Sequence, residues 1–341
     1  MSDRLEDIAH AMVQPGQGIL AADESNGTMQ KRFDPLGIEN TADNRRDYRE
    51  MLFRSEQAMN ENVGGVILFE ETLHQKAADG TPFVDIIKAA GAVPGIKVDQ
   101  GVQPLPGHDG ETVTVGLDIL AENLKAYYDV GARFAKWRAV IAVDKSLPSW
   151  GGIRANAHAL ARYAALCQAA GIVPIVEPEV QMDGDPGDHT IERCHEVTAA
   201  TLKAVFNELD EQNVKLEGIV LKPNMVVPGS NAAKQASPEE VAEHTVAVLK
   251  RHVPSAVPGI AFLSGGQSDL EATANLNAMN AGHSAPWALT YSYGRALQAA
   301  AREAWGGKPE NLPAASKAFT HRARMNGLAA KGEWNEGLEA G

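Results

Sequence analysis

Short runs rich in Val, Ile, Leu, Ala or Phe recur along the chain at 18–25, 63–70, 93–99, 134–141, 173–180, 218–224, 259–266 and 287–294. Continuous apolar runs of this length fit parallel strands covered on both faces. Their starts lie about 28 to 45 residues apart, room each time for one helix and two loops. The intervening stretches carry helical spacing. Residues 156–170 (NAHALARYAALCQAA) end at Gly171, residues 117–130 end at Gly131, and residues 191–209 have the same character. Ser237-Pro238-Glu239-Glu240 reads as a helix start, with a capping hydroxyl, a proline at the first helical position and acids in the first turn. Eight such units predict a (β/α)8 TIM barrel spanning 1–341 as a single domain, with a short C-terminal tail from about 325. An open doubly wound sheet is the alternative. Residues 105–115 (LPGHDGETVTV) break the rhythm and read as a surface hairpin inserted after the third strand.

The length of 341 residues fits one barrel as well as two smaller domains. With 44% hydrophobic and 22% charged residues the composition is that of a globular protein, and no apolar run approaches the ~20 residues of a membrane span. A net charge of -13 weighs against nucleic-acid binding and against docking on an acidic membrane. The N-terminus (MSDRLED) is acidic and unlike a leader peptide. Cys167 and Cys194 fall in helix-like segments and read as reduced, buried thiols of a cytoplasmic protein.

Charge changes the picture at the strand ends. Residues two apart on a strand face one side, and five runs carry ionisable groups on one face near their C-terminal ends: Asp23 with Ser25, Lys97 with Asp99, Lys136 with Arg138, Glu177 with Glu179, and Lys222 with Asn224. Buried parallel strands are otherwise apolar, and unpaired buried charge is costly. The C-terminal ends of barrel strands meet at one mouth, where active sites are built. Any one pair could be a salt bridge on a wet rim. Five together point to a shared charged cavity.

Such a set can perform lysine chemistry. Burial and a second nearby lysine both work against the ammonium form, so a lysine here is expected to be depressed in pKa. A neutral amine attacks a carbonyl and forms an iminium, which makes cleavage of the bond β to it feasible. The carboxylates supply proton transfers. The residues alone do not say which lysine is the nucleophile.

The last two strands add a second theme. Ser264-Gly265-Gly266 ends the seventh run, and Gly294-Arg295 follows the eighth. Glycines let backbone N–H groups approach a phosphate, a guanidinium grips it bidentately, and the loops after barrel strands seven and eight are a frequent phosphate site. Lys31-Arg32, shortly after the first strand, forms a second cationic patch near Lys97, or else a solvated helix face. Two separated phosphate sites imply a bisphosphorylated small molecule.

The segments GILAADESNGTMQKR, VGGVILFEETL, PGIKVDQG, FAKWRAV, PIVEPEV, LEGIVLKPNM, FLSGGQS and YSYGRALQ occur in this order, and over about residues 5 to 330 the chain resembles class I fructose-bisphosphate aldolases. The resemblance implies reversible cleavage of fructose 1,6-bisphosphate to dihydroxyacetone phosphate and glyceraldehyde 3-phosphate, in glycolysis and gluconeogenesis, with no metal and no other cofactor. It implies that Lys222, of LKPN, forms the Schiff base, assisted electrostatically by Lys136. Glu177 is then the acid–base of dehydration, Glu179 a supporting member of the proton network, and Asp23 the group taking the C4 hydroxyl proton. The phosphate nearest the Schiff base falls to Ser264, Gly265, Gly294 and Arg295. The distal phosphate falls to Thr28, Arg32 and Lys97, with Arg138 nearby. The family commonly has serine at the Thr28 position, so the hydroxyl is retained. Val220, where Leu or Ser is usual, reads as neutral. The resemblance also implies a homotetramer. One departure stands out: animal members end in a flexible tail with a terminal tyrosine that helps proton transfer, whereas this chain ends WNEGLEAG.

Other classes fit less well. The ten histidines are scattered, without HxH or HExxH, which argues against a metal-dependent aldolase. Gly16-Gln-Gly18 precedes a strand instead of following one, as a dinucleotide fingerprint would. The segment at Gly229 lacks the second glycine of a P-loop. A transaldolase-like enzyme acting on monophosphates is the nearest competitor, and the distal patch argues against it. A barrel-based scaffold that had lost turnover would be expected to lack one of Lys222, Glu177 or Asp23, and all are present.

Overall fold

A computed structural model describes residues 4–183 and 187–340; the first three positions of the acidic N-terminus and the last of the tail lie outside the described residues. Eight parallel strands close into a barrel: β1 Gly18–Ala22, β2 Val63–Leu68, β3 Val93–Lys97, β4 Phe134–Ile141, β5 Val173–Val180, β6 Val220–Leu221, β7 Gly259–Phe262 and β8 Ala288–Tyr293. Each pairs with its neighbour in sequence, and β8 returns onto β1 with Ile19 opposite Ser292. The (β/α)8 architecture is therefore the one the periodicity predicts.

Two strands, β4 and β5, coincide with their apolar runs. The others stop short at the C-terminal side, where the sequence turns polar. The strongest truncation is β6. Its ladder continues one residue, as Lys222 donates its N–H to the Val176 carbonyl at 2.8 Å, and then meets Pro223, which has no N–H to give. β1 ends at Ala22 because Ser25 already caps the helix Asn26–Phe33, accepting from the Thr28 N–H.

The inner face of the barrel is apolar at its N-terminal half. Ile19, Ala21, Ile67, Val93, Phe134, Val173, Ile175, Val220 and Ala261 pack there, closed from below by Ile8, Met12 and Val13. Gly95 makes room for the Phe134 ring: a Cβ at 95 would stand 2.3 Å from it. The outer faces pack on the surrounding helices through a second, larger cluster that includes Leu20, Trp137, Val176 and Tyr291. This lower plug leaves only the C-terminal mouth for polar chemistry.

Three expectations shift. The helix predicted over 156–170 begins earlier and spans Trp150–Ala169, with Ser149 as its cap. Its glycines look like breakers, but Gly152 sits where a Cβ would strike the Glu111 carboxylate at 1.9 Å. The hairpin placed at 105–115 instead pairs Val102–Pro104 with Thr112–Thr114, so its first strand lies before the predicted segment. That strand is exposed and includes Pro104, which hides it from an apolar-pattern reading. The last helix, Leu312–Ala329, runs past position 325, and a 3-10 turn at Glu336–Ala340 follows.

That final turn is anchored. Arg322 grips the Glu339 carboxylate at 2.7 and 2.9 Å, and the Trp334 indole donates to it at 2.8 Å. Burial pushes the Glu339 carboxyl up in pKa, and hydrogen bonds from Arg322 and Trp334 more than reverse it. Arg322 is buried and Glu339 half-buried, so removing the acid leaves the guanidinium with the Thr273 hydroxyl but no counter-charge in the turn. Glu339→Ala is expected to lower the unfolding free energy by about 2 kcal/mol in urea titrations. A loss below ~1 kcal/mol would show a contact no stronger than a surface ion pair. Among the described residues no helix is long and apolar enough to cross a membrane.

Candidate active site

Halfway along the barrel the inner rows change character. On β4, Phe134 is followed on the same face by Lys136 and Arg138; on β5, Val173 and Ile175 are followed by Glu177 and Glu179; after β6, Val220 is followed by Lys222. The alternation that fills the lower core with apolar side chains thus delivers charges to the mouth.

Three of these groups form a continuous chain with Asp23, which follows β1. The Lys136 ammonium stands 3.2 Å from Asp23 and 3.1 Å from one oxygen of Glu177, and Lys222 stands 3.0 Å from the other. Lys136, Glu177 and Lys222 are buried. Burial pushes the Asp23 carboxyl up in pKa, but Lys136 and Lys222 outweigh it and hold it down at about 2. For Lys136 burial acts against the charge, yet Asp23, Glu177 and Asp99 outweigh it and keep the ammonium well above the ordinary lysine range. At Lys136, then, no depression by crowding arises: the touching carboxylates dominate over burial and the second lysine.

A cavity of about 620 Å³ opens above this chain. Its walls include Asp23, Thr28, Arg32, Lys97, Lys136, Arg138, Glu179, Lys222, Ser264, Gly265, Gly294 and Arg295. Every site residue predicted from sequence is thus on the wall except Glu177, which lies beneath it and bridges the two lysines. The lining residues end in the sequence at Arg295, so the C-terminal turn contributes none of them.

The two candidate phosphate regions differ in their resting partners. Arg295, at the first turn of the helix Arg295–Trp305, donates to the Gln267 carbonyl at 3.0 Å. Gly266 turns the preceding loop in the left-handed region, at φ 72°. On the distal side each cation holds a carboxylate: Arg32 pairs with Glu24, Arg138 with Glu179, and Lys97 with Asp99 at 2.7 Å. A polyanionic ligand there exchanges with existing ion pairs.

Among the lining residues that the sequence does not single out, Glu24 and Ser292 carry chemistry. Strand alternation, carried past β1, would turn Glu24 away from Asp23. The strand ends at Ala22, so alternation no longer applies, and Asp23, Glu24 and Ser25 all reach the cavity. Ser292 lines the cavity with a buried hydroxyl that has no hydrogen-bond partner. It lies two residues before Gly294 on the same face, a signal that was available. The hairpin also reaches the mouth, through Val102. Among the described residues no group of three or more His, Cys, Asp or Glu side chains could hold a metal ion.

Comparison with known proteins agrees with this geometry. Residues 4–341 match the family model described as fructose-bisphosphate aldolase class-I. The chain is 53% identical over 335 residues to a fructose-bisphosphate aldolase of Dictyostelium discoideum, covering 98% of this chain and 93% of the relative. It is 53% identical over 338 residues to fructose-bisphosphate aldolase C of Rattus norvegicus, covering 99% and 92%. Among solved structures, fructose-bisphosphate aldolase from Plasmodium falciparum, in a ternary co-crystal with TRAP and a small-molecule inhibitor, superposes with a TM-score of 0.93 at 48% identity, covering 97% of this chain and 95% of that one.

Proposed function

Since the chain belongs to the class-I fructose-bisphosphate aldolase family, with that family's aldol-cleaving activity and place in glycolysis, we propose that Lys222 is its Schiff-base nucleophile, that Lys136 assists it electrostatically as a cation, and that Glu177 and Asp23 carry the proton transfers. The observation that supports this division most is the unequal pairing of the two lysines. Lys136 touches two carboxylates, while among the described residues Lys222 pairs with one, Glu177, at 3.0 Å. Lys222 therefore has a recipient for the proton it must shed, and Lys136 is held as the permanent cation.

In this reading the Lys222 amine attacks the C2 carbonyl of fructose 1,6-bisphosphate to give a carbinolamine. Glu177 protonates the departing hydroxyl, water leaves, and an iminium forms. Asp23 takes the C4 hydroxyl proton, the C3–C4 bond breaks, and its electron pair enters the iminium to give an enamine. The aldehyde product leaves. Protonation at C3 and hydrolysis release dihydroxyacetone phosphate and restore the lysine. Asp23, held ionised by Lys136 and Lys222, is in the deprotonated state the base role requires, although a carboxylate held at about 2 is only a weak base in the resting site. Glu179, fixed by Arg138, supports the network from the cavity wall. Ser264, Gly265, Gly294 and Arg295 take the proximal phosphate, and Thr28, Arg32 and Lys97, with Arg138, take the distal one. The reading extends to a cytoplasmic homotetramer, on the family resemblance.

The distal site separates this substrate from monophosphates. Arg32→Met is expected to raise KM for fructose 1,6-bisphosphate roughly 10- to 100-fold, the worth of a charge-assisted hydrogen bond, while fructose 1-phosphate kinetics stay within about twofold. Equal efficiency of the wild type on both sugars would favour a transaldolase-like preference for monophosphates.

A further inference from the structure

The Arg32–Glu24 pair has a second cation behind it. Glu24 is buried, and one carboxylate oxygen accepts from Arg32 and, at 3.0 Å, from the fully buried Gln298 amide. Its other oxygen has no hydrogen-bond partner. Arg49, on the helix Ala42–Phe53, is completely buried directly behind this segment. Its Nη2 donates to the Glu24 backbone carbonyl at 2.8 Å and stands 4.0 Å from the unpartnered carboxylate oxygen. Its Nε and Nη1 make no hydrogen bond. The nearest other acid, Glu71, is already gripped by Arg45 at 2.8 and 2.6 Å and lies 3.6 Å from Arg49.

Two neighbouring buried residues, whose guanidinium and carboxylate stand 4.0 Å apart, thus each leave polar atoms without a hydrogen bond, which is unusual in a folded interior. Their arrangement makes sense if the site has two states. When a phosphate draws Arg32 away, the Glu24 carboxylate would remain buried with the Gln298 amide as its one hydrogen bond among the described residues and Arg49 no nearer than 4.0 Å, an unfavourable outcome for a charge. Arg49 has the free N–H groups to receive it after a small rotation.

We propose that Arg49 is a positioning residue for the distal phosphate: it takes over the Glu24 carboxylate when the phosphate recruits Arg32, so that Arg32 is released without stranding a buried charge. Glu24 then acts as the resting occupant of Arg32 in the empty site. Arg49 touches neither substrate nor reacting atoms and acts through Glu24. The inference rests on the reading above that Arg32 meets the distal phosphate of a bisphosphate substrate.

The test uses Arg49→Lys, which keeps a donor for the Glu24 carbonyl but lacks the spare guanidinium N–H groups. KM for fructose 1,6-bisphosphate is expected to rise about tenfold, or ~1.4 kcal/mol, with fructose 1-phosphate kinetics within about twofold. In the double variant Glu24→Gln with Arg49→Lys, the neutral amide no longer needs a second cation, and most of that rise should disappear. Equal losses on both sugars would assign Arg49 a merely structural role and overturn the proposal, as would a rise that Glu24→Gln does not relieve. Should Arg49→Lys fold poorly, a crystal structure of the wild-type bisphosphate complex decides. Glu24 hydrogen-bonded to Arg49 with Arg32 on phosphate supports the exchange; Arg32 on both, with Arg49 unmoved, overturns it. Dihydroxyacetone phosphate with borohydride, a ligand needing only one phosphate, serves as the control. Labelling of wild type and variant alike with unchanged KM sinks the Arg49 inference alone, whereas an unlabelled wild type sinks the site reading and the inference with it.

Discussion

Lys222→Met is expected to lower the kcat for cleavage of fructose 1,6-bisphosphate by roughly 10⁵-fold or more, because it removes the covalent route altogether. The fold should persist. Methionine fills a similar volume, and the ladder bond at this position is made by the backbone N–H, which the substitution keeps. Glu177 would retain Lys136 at 3.1 Å, so no buried carboxylate is stranded. Lys222→Arg should fare no better, since a guanidinium remains protonated and cannot attack. Steady-state cleavage assays with circular dichroism as the folding control check this. A variant that keeps more than about a hundredth of wild-type kcat would place the nucleophile elsewhere.

Lys136→Met should cost about 10³-fold in kcat and also move a pKa. Lys136 is the ammonium that joins Asp23 to Glu177, at 3.2 and 3.1 Å. Without it, burial acts on Asp23 with only Lys222 and Lys97 to oppose it. The Asp23 carboxyl should then climb from about 2 to above its ordinary value of 3.8. The linkage sign follows. In the wild type the depressed Asp23 contributes stability that is fully present above about pH 4 and is lost as pH falls toward 2. In the variant that acid-labile contribution vanishes, and a raised Asp23 makes ionisation itself destabilising as pH rises through the ordinary carboxylate range. Carbon-detected NMR titration of Asp23 reads the shift directly. An Asp23 still titrating near 2 would mean that Lys136 is not what holds it ionised.

The barrel was legible because its strands are buried on both sides. Runs such as those at β4 and β5 stay apolar or charge-alternating over their full length, and the structure reproduces their limits. Legibility failed where a strand stops. Pro223 ends the β6 ladder within a run that looks continuous, and Ser25 pulls the chain into a helix before the β1 run is over. Past such a point the two-residue alternation no longer reports direction, which is why Glu24 went unnoticed beside Asp23. The charged residues at the mouth could be named from sequence, but their pairing could not. Sequence adjacency gives no hint that Arg32 rests on Glu24 or that Lys136 contacts Asp23 across 113 positions of chain. At Lys136 no depression arises for the same reason: a count of cations at the mouth does not show how closely the carboxylates approach that ammonium. In sequence the C-terminal segment shows only the lack of a tyrosine, while Arg322, far along the last helix, supplies the anchor that docks it.

The central claim is that Lys222, and not its neighbour Lys136, makes the covalent bond. Incubation with dihydroxyacetone phosphate, reduction with borohydride and peptide mapping by mass spectrometry test it most directly. The expected result is a single reduced adduct on the peptide containing Leu221-Lys222-Pro223. An adduct on Lys136, or no adduct while cleavage proceeds, would contradict it.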